Sequence, residues 1–484
     1  MSITSALSSA ISGLTASSRA AGVVSTNLAN VLTEGYAPRD IVLSSQGRIG
    51  GVSVIGVTRN VDESLLSERR FADSELAYAE ARNDFALFLE TELGLPGEAG
   101  SLNDLIVSFE TQLTSAAAKP EEEVRLSQAV QGAKTLTDKI NSVSEAIQQE
   151  RTEAELQIEQ AVADLNRLLV ELQTVNKQIS TTKDTGGLSA SLFDERQGIV
   201  DKISEYVPVQ IAPRDNDTVA LFSPGGVILI DGPPVEFSFT ASNVIAPQMT
   251  LGNGLLSGLE INGLPVTPSG DNSPIAGGRL SALFEVRDTL APSAQTKIDA
   301  IARNLIERFQ NPALDATRPP GDPGLFTDGG SAFASVDELG IAGRLSVIAL
   351  VDPALSGAVF RLRGGLGSTA PGAVGDATLL LALSDTVRAR APLASGSLGS
   401  TSRSFAEHAT ALVSDAGQQR LFLEQSQSFA ASRQASLLEL ELQDGVDSDT
   451  ELQRLLLVEQ AYTANARMIK TVDEMIDTML RIAS

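Results

Sequence analysis

Several residue types that carry enzyme chemistry are scarce or missing in this chain. It contains no cysteine and no tryptophan, and its single histidine is His408. Without cysteine there is no disulfide, thiolate nucleophile, iron–sulfur cluster or cysteine zinc site, and one imidazole cannot serve a scheme that needs two. The absence of cysteine fits both a reducing compartment and a protein exported unfolded, so it leaves the location open.

Positive charge is also scarce. The 484 residues include 36 Lys and Arg against 61 Asp and Glu, which gives a net charge of −25. A surface of this sign repels phosphate backbones and anionic membranes, so we expect neither nucleic acid nor membrane among the partners. The length suffices for about three domains. A hydrophobic content of 42% with 4% aromatic residues predicts a core of aliphatic side chains.

Long hydrophobic runs are missing as well. No stretch approaches the roughly 18 consecutive apolar residues that span a bilayer, so a soluble protein is expected. The N-terminal segment has no Lys or Arg before Arg19, and Ser and Thr interrupt its apolar positions. These features differ from those of a cleaved secretory signal, so we expect the N-terminus to be retained.

Phosphate-binding motifs are absent or weak. The chain has no Gly-Lys dipeptide, which excludes a P-loop. Gly365, Gly367 and Ala370 form a dinucleotide-like string after a candidate strand at 358–363. Pro371 follows where a phosphate-binding helix would have to begin, so the string does not predict a nucleotide site.

Candidates for calcium and acid–base chemistry have ordinary structural explanations. Residues 215–217 lack the glycine and glutamate that complete a calcium loop, so a turn is expected there. Asp194 and Glu195 are adjacent carboxylates, which point different ways on a helix, and Arg196 is the expected local charge partner. A lone helical histidine such as His408 is more typical of packing or surface than of catalysis. No catalytic residue, metal site or cofactor is predicted.

Both ends of the chain carry apolar residues at alternating spacings of three and four, the pattern of a narrow helical seam. The N-terminal seam consists of Ile3, Leu7, Ala10, Leu14, Ser17, Ala21, Val24, Leu28 and Val31; the C-terminal seam consists of Leu455, Val458, Tyr462, Asn465, Ile469, Val472, Ile476 and Met479. Gly13 costs the first helix about 1 kcal/mol relative to alanine, so that helix is weak alone.

Two interpretations of these seams remain open. Each helix could be an ordinary amphipathic helix that packs on a globular core. Termini are usually poorly patterned, however, so a seam at both ends favours an N-to-C coiled pair that becomes stable on assembly.

Between the two terminal seams, stretches of helical periodicity alternate with stretches of β pattern. Helical periodicity covers 62–93, 121–182, 279–310 and 402–442, with Gly132 as a candidate interruption, and short β-patterned runs occupy 207–261. The expected fold class is mainly α with inserted β. It is an elongated multidomain chain with paired terminal coiled-coil helices, a long helical shaft and small antiparallel β domains at the distal end.

A division into four parts follows from this alternation. The terminal coiled-coil domain comprises 1–48 and 444–484; the helical shaft comprises 49–205, 277–312 and 400–443; the β domain comprises 206–276; and a β-rich or irregular outer segment comprises 313–399.

Several strings of the chain match those of a known family. They are Ser12-Gly13-Leu14-Thr15-Ala16, Asn27-Leu28-Ala29-Asn30, Thr33-Glu34-Gly35-Tyr36, Leu192-Phe193-Asp194-Glu195-Arg196-Gln197, the stretch 277–288, and Gln460-Ala461-Tyr462-Thr463-Ala464-Asn465-Ala466-Arg467. On these residues the chain resembles the axial proteins of the bacterial flagellum, and above all their hook–filament junction branch. Asp447-Ser448 and Ile476 depart mildly from the usual pattern, and 319–392 matches only weakly.

The resemblance implies a structural protein without cofactor or catalysis, forming a ring-like helical layer between hook and filament. The implied partners are further copies of the chain, the hook protein, hook-associated protein 3, a flagellar export chaperone and the type III export apparatus. The implied location is extracellular, at the hook–filament junction of the flagellum, after secretion without a cleaved signal peptide.

The residues expected to make assembly contacts follow from the seams and from the resemblance. Leu7, Leu14 and Leu28, with Leu455, Tyr462, Ile469 and Ile476, are expected to pack between subunits or between the termini. Asn30, Gly35 and Tyr36 are expected to set the bend after the first helix. Asn465 is expected to fix the register, as polar seam residues do.

Three other functions remain open on sequence alone. A hook or distal-rod subunit would share the N-terminal strings, although the long helical shaft argues against it. A cell-wall hydrolase would use carboxylate pairs. A coiled-coil adaptor in the cytoplasm would use the same seams without export.

Overall fold

The computed structural model describes residues 3–33, 35–46, 50–182, 188–270 and 272–483. The helices are α1 (Ile3–Ala29), α2 (Glu63–Leu93), α3 (Leu102–Ala118), α4 (Glu123–Thr181), α5 (Leu188–Tyr206), α6 (Gly278–Glu285), α7 (Ala291–Gln310), α8 (Arg361–Gly364), α9 (Thr378–Arg388), α10 (Phe405–Gln443) and α11 (Ser448–Ala483). The strands are β1 (Arg39–Ser45), β2 (Val52–Arg59), β3 (Gln210–Pro213), β4 (Val219–Phe222), β5 (Ile228–Ile230), β6 (Phe237–Ser238), β7 (Leu259–Ile261), β8 (Leu264–Val266), β9 (Phe326–Asp328) and β10 (Leu345–Val347). The expected class, mainly α with inserted β, is confirmed.

Helix α4 is the longest element. It has 59 residues, which corresponds to a length of about 90 Å at 1.5 Å per residue. Its buried residues recur every three or four positions from Leu126 to Ile179, so one face is covered along the whole helix. The interruption expected at Gly132 is wrong. The helix is continuous there, and the missing side chain leaves room for Gln112 of α3.

Two apolar cores lie one after the other along α4. The first contains the N-terminal half of α4 with α3, α7 and the start of α10, and the second contains its C-terminal half with α5, α6 and several of the strands β3 to β8. In the first core, the ring of Phe326 meets Phe309 edge-on at 4.9 Å between centroids and Phe109 at 5.7 Å. A single continuous helix therefore connects two packed bodies.

The first core includes a segment that the sequence places outside it. Residues 313–399 contain α8, α9 and the antiparallel pair of β9 with β10, and their Phe326, Val351 and Leu380 are completely buried. The sequence does not reveal this packing, because Gly and Pro break the apolar residues of the segment into pieces too short to show a period. The outer position of the segment stays a prediction. The strand expected at 358–363 is wrong, since α8 lies there.

The strands form small antiparallel sheets. Strands β1 and β2 pair as a hairpin, while β3-β4-β5 and β6-β7-β8 form two three-stranded sheets within the predicted β domain. Residues 215–217 form a turn, as expected, in which Asn216 has a φ of 60°. The predicted domain boundary after residue 48 lies outside the described residues, and the remaining boundaries stay predictions.

A buried charge network separates the two cores. Glu155 of α4 and Arg287 are both fully buried, and their side chains form an ion pair of 2.6 Å. Arg287 also pairs with Asp288 at 2.7 Å and lies over the ring of Phe284, 4.8 Å from its centroid. Arg151 donates hydrogen bonds to the backbone carbonyls of Arg287 and of two loop residues, Ala246 and Met249.

Replacing Glu155 by Gln should destabilise the protein strongly, because it leaves the guanidinium of Arg287 buried with one carboxylate fewer. Losing one partner of a buried ion pair typically costs about 3–5 kcal/mol. Urea unfolding followed by circular dichroism measures the change, and Glu159→Gln on an exposed position of the same helix is the control. Equal stability of the two variants would contradict the prediction.

His408 of α10 is a packing residue, as the sequence suggests. Its side chain is fully buried, and Nε2 donates a hydrogen bond of 2.7 Å to the carbonyl oxygen of Ala391. Burial lowers the pKa of His408, and the nearby Arg308 and Arg403 act in the same direction, while the Ala391 carbonyl and Glu407 oppose it. The folded protein therefore favours the neutral ring.

The lowered pKa predicts a pH dependence of stability. Because the unfolded chain binds a proton at His408 more readily than the folded chain, the contribution of this group is full above a pH of about 6.5 and is lost as the pH falls toward the folded pKa. His408→Gln keeps an N–H donor but does not titrate. The difference in unfolding free energy between wild type and variant should shift in favour of the variant from pH 7.5 to pH 5, and an unchanged difference would refute this.

Candidate functional site

The two terminal helices pack against each other within one chain. Gly13 of α1 lies against Asn465 of α11, whereas Asp40, after the end of α1, forms an ion pair of 2.9 Å with Arg454 near the start of α11. Helices α1 and α11 therefore run antiparallel. The N-to-C pairing that the two seams predict is present in the structure.

Burial along the two helices follows the predicted seams. In α1, the seam positions Ala10, Ser17 and Val24 are buried, and in α11 Val472 is 5% exposed. Most of the seam residues that are predicted to make assembly contacts are half-buried: Leu7, Leu14, Leu28, Leu455, Asn465, Ile469 and Ile476. Tyr462 is more open, at 44% exposed. Contacts of these residues with other subunits stay a prediction.

Gly13 provides the closest approach between the two helices. A Cβ at this position would lie 2.7–2.9 Å from the side-chain amide atoms of Asn465, closer than atoms pack. The absence of a side chain on α1 therefore creates the space that the amide of α11 fills. This explains why a residue unfavourable to an isolated helix stands in the middle of the seam.

The bend after α1 depends on a residue that the sequence analysis does not single out. Asn27 is fully buried. Its Oδ1 accepts hydrogen bonds from the hydroxyl of Tyr36 at 2.8 Å and from the backbone N–H of Arg39 at 3.1 Å, and its Nδ2 donates to the carbonyl of Arg39 at 2.9 Å. One amide thus fixes the chain as it leaves the helix and enters β1. A polar residue directly beside the seam position Leu28 is the signal in the sequence that points to it.

The three residues predicted to set the bend lie beside Asn27. Asn30 follows the end of α1 and donates from Nδ2 to the carbonyl of Thr26 at 2.8 Å. Gly35 has a φ of 74°, a left-handed conformation that glycine adopts readily. Burial raises the pKa of Tyr36, against the effect of the neighbouring Arg39. Their role in the bend stays a prediction, and the hydrogen bonds place Asn27 at its centre.

The β1–β2 hairpin joins the terminal helices to the shaft through Asp194 of α5. This carboxylate pairs with Arg39 of β1 at 2.7 Å and with Arg59 of β2 at 2.6 Å. The local partner expected for Asp194, Arg196, is wrong, because Arg196 instead donates to the carbonyl of Asp217. Burial lowers the pKa of Arg196 to about 10.

A cleft of about 990 Å³ lies where the terminal elements meet the shaft. Carboxylates dominate its charged lining, and burial raises the pKa of Asp73, Glu150, Glu205 and Glu441 in it. Within the described ranges, no three His, Asp or Glu side chains are placed to hold a metal ion together. The same ranges contain no helix long and apolar enough to cross a membrane.

A second apolar stripe runs along α11, away from the seam with α1. Its large members are exposed by half or more: Leu457 65%, Met468 51%, Met475 51% and Ile482 81%. Ala461 and Ala464 continue the same spacing between Leu457 and Met468. The helix therefore has one apolar side that is covered within the chain and another that faces solvent.

Comparison with known proteins agrees with this architecture. Residues 90–318 match the flagellar hook-associated protein FlgK helical domain, and residues 443–482 match the flagellar basal body rod FlgEFG protein C-terminal region. Flagellar hook-associated protein 1 of Bacillus subtilis is 23% identical, over 98% of this chain and 97% of its own length. These matches confirm the resemblance to the flagellar hook-associated protein 1 family that the sequence indicates. It is accordingly a structural component of the flagellum.

Other relatives align over less of their length. Flagellar hook-associated protein 1 of Salmonella typhimurium is 24% identical over 53% of this chain, and the match spans about half, 51%, of that relative. The solved flagellar hook junction protein FlgK of Burkholderia pseudomallei superposes with a TM-score of 0.45 and 18% identity, over 55% of this chain and 47% of its own.

The contact between Gly13 and Asn465 predicts that a glycine-to-alanine substitution has opposite effects on stability at two positions of α1. Gly22→Ala on the same helix has open space and should stabilise α1 by up to about 1 kcal/mol. Gly13→Ala should instead destabilise the helix pair by about 1–3 kcal/mol, because the added methyl overlaps the amide of Asn465. Hydrogen exchange of the α1 amides measures both effects.

A second substitution distinguishes this overlap from a general effect on the helix. Adding Asn465→Ala to the Gly13→Ala variant removes the overlapping atoms, so protection of the α1 amides should partly return. Stabilisation by Gly13→Ala alone would contradict the packing described here.

Proposed function

We propose that the chain forms the junction layer between hook and filament by self-assembly through its terminal helices. The observation that carries the proposal is the exposed apolar stripe of α11, which lies apart from the seam that α1 already covers. Such a stripe is out of place on a protein that stays monomeric in water. Neighbouring copies of the α1–α11 pair are the occupants it fits.

The energetics favour assembly over a solitary helix pair. Burying a Leu, Ile or Met side chain contributes roughly 1.5–3 kcal/mol, and four such side chains are exposed on the α11 stripe. Ordering the helices costs conformational entropy, roughly 1–2 kcal/mol per residue for the backbone. Contacts with several neighbours offset this cost better than the single seam does, so the terminal helices gain most of their stability in the assembled layer.

The further partners follow from the family rather than from the geometry of this chain. We propose the hook protein on one side of the layer and hook-associated protein 3 on the other. Secretion through the type III export apparatus, without a cleaved signal peptide and with help from an export chaperone, completes the proposal and places the chain outside the cell. The eleven predicted contact residues, Leu7 to Ile476, are proposed to act in this assembly.

A chain that lacks residues 455–484 should fold but fail to join the flagellum. Both apolar cores and the α2–α10 pair lie outside the deleted part, so the shaft should keep its helical content. Expressed in a strain without the wild-type gene, the truncated chain should give hooks without filaments in electron micrographs and flagellin in the medium. Normal filaments would refute the proposed function.

A point variant separates assembly from export and folding. Met468→Ser with Met475→Ser alters the exposed stripe and leaves the α1 seam unchanged, so the chain should reach the medium but not the hook tip. Leu355→Ser, at a residue that is 62% exposed in a turn of the first body, is the matched control and should incorporate normally. Incorporation of both variants at the wild-type level would show that the stripe is not the contact.

A further inference from the structure

Two phenylalanines on α10 are exposed to an extent unlike the other phenylalanines of the described chain. Phe422 is 68% exposed and Phe429 is 72% exposed, whereas the other phenylalanines are buried or half-buried. They are seven residues apart and so lie on one face of the helix. Phenylalanine is a poorer helix former than glutamine or lysine, so an exposed pair does not help the isolated chain to fold.

The rings of Phe422 and Phe429 face solvent, while Leu423 and Ala430, each one residue further along the helix, are buried toward the shaft. Gln427 accepts a hydrogen bond from Asn83 of α2 at 2.8 Å. Arg433, one turn after Phe429 on the same face, pairs with Glu75 of α2 at 2.6 Å and marks the edge of the exposed face. The C-terminal half of α10 is therefore an outer helix with α2 beneath it and with Phe422 and Phe429 turned outward.

The surface around the two rings is poor in charge. Residues 416–436 contain only Arg420, Glu424 and Arg433 as charged side chains, in a chain of net charge −25. Each of the three is already paired: Arg420 with Glu90 at 2.7 Å and Glu424 at 2.9 Å, and Arg433 with Glu75. The other uncharged residues that are exposed in this stretch are Gln418, Leu421, Gln425, Ser426, Ser428, Ser432, Ala435 and Ser436.

We propose that this face of α10, defined by Phe422, Ser426 and Phe429, is a lateral docking surface for a second copy of the same chain. Copies that each carry a charge of −25 repel one another unless they meet where charge is depleted, and this face meets that condition. Aromatic side chains surrounded by neutral polar residues are also the composition found at the centres of protein interfaces. The contact rests on the proposed assembly but is distinct from the one made by the terminal helices.

The contact extends the proposed function from the terminal helices to the shaft. Each copy would touch its neighbour at two levels, through the stripe of α11 and through the face of α10 beyond the turn at Asp444. A partner carrying strong positive charge is not favoured by this surface, since no unpaired carboxylate lies beside the two rings in residues 416–436.

The natural absence of cysteine permits a direct crosslinking test. Ser426→Cys, labelled with benzophenone maleimide and irradiated in isolated flagella, should yield a product of twice the chain's mass, with the crosslinked peptide mapped to this same chain by mass spectrometry. Ser335→Cys, exposed on a turn between β9 and β10, is the matched control. The product from the Ser426→Cys variant should exceed that from the control at least fivefold, and adding Phe422→Gln with Phe429→Gln should reduce it by a similar factor.

The other outcomes overturn the inference in distinguishable ways. Incorporation of the chain without the double-mass product means that α10 is not a lateral contact, while the proposed function stands. A crosslink only to a different flagellar protein also refutes the second copy as occupant. Absence of even the unmodified chain from the flagellum refutes the proposed function, and with it the contact. Thermal unfolding of the purified Phe422→Gln, Phe429→Gln chain should occur at or above the wild-type temperature, and a clear loss would instead assign the two rings to folding.

Discussion

Both packed bodies of this chain depend on the burial of the apolar face of the single helix α4. An isolated helix of 59 residues would expose apolar side chains along its whole length, so it persists only because other elements cover it from end to end. Both neighbouring and distant segments provide that cover: α3 and α7 on the first half, α5 and strands of the β region on the second. The ion pair of Glu155 and Arg287 stands between the two cores.

The terminal helices follow a different principle. Their mutual seam is narrow and uses small residues, so the two backbones approach closely at Gly13, and Asn465 fills the space that a side chain would otherwise occupy. Their connection to the shaft is polar, through Asn27 at the end of α1 and Asp194 on α5. Aliphatic packing thus stabilises the shaft, whereas a few buried hydrogen bonds and ion pairs fix the position of the terminal pair relative to it.

The sequence predicts those parts of the structure that repeat. The two terminal seams and the helices 62–93, 279–310 and 402–442 all show a period that backbone geometry imposes, and each is present. Features that depend on single residues could not be read in the same way. Asn27 is one polar residue among many in α1, and only its three hydrogen bonds distinguish it. Residues 313–399 are buried without any regular spacing, so their packing against the first core is visible only in three dimensions.

The antiparallel pairing of α1 with α11 brings together residues from nearly opposite ends of the chain, such as Gly13 and Asn465. A contact of this sequence separation closes the largest loop that the chain offers, and its entropy cost grows with the logarithm of loop length. The shaft also uses long-range contacts, such as those between α2 and α10, but the terminal pair cannot form until both ends are free together. If the chain passes end first through a narrow passage, its two ends are free together only after the last residues have emerged. The terminal domain therefore forms last, whichever end emerges first.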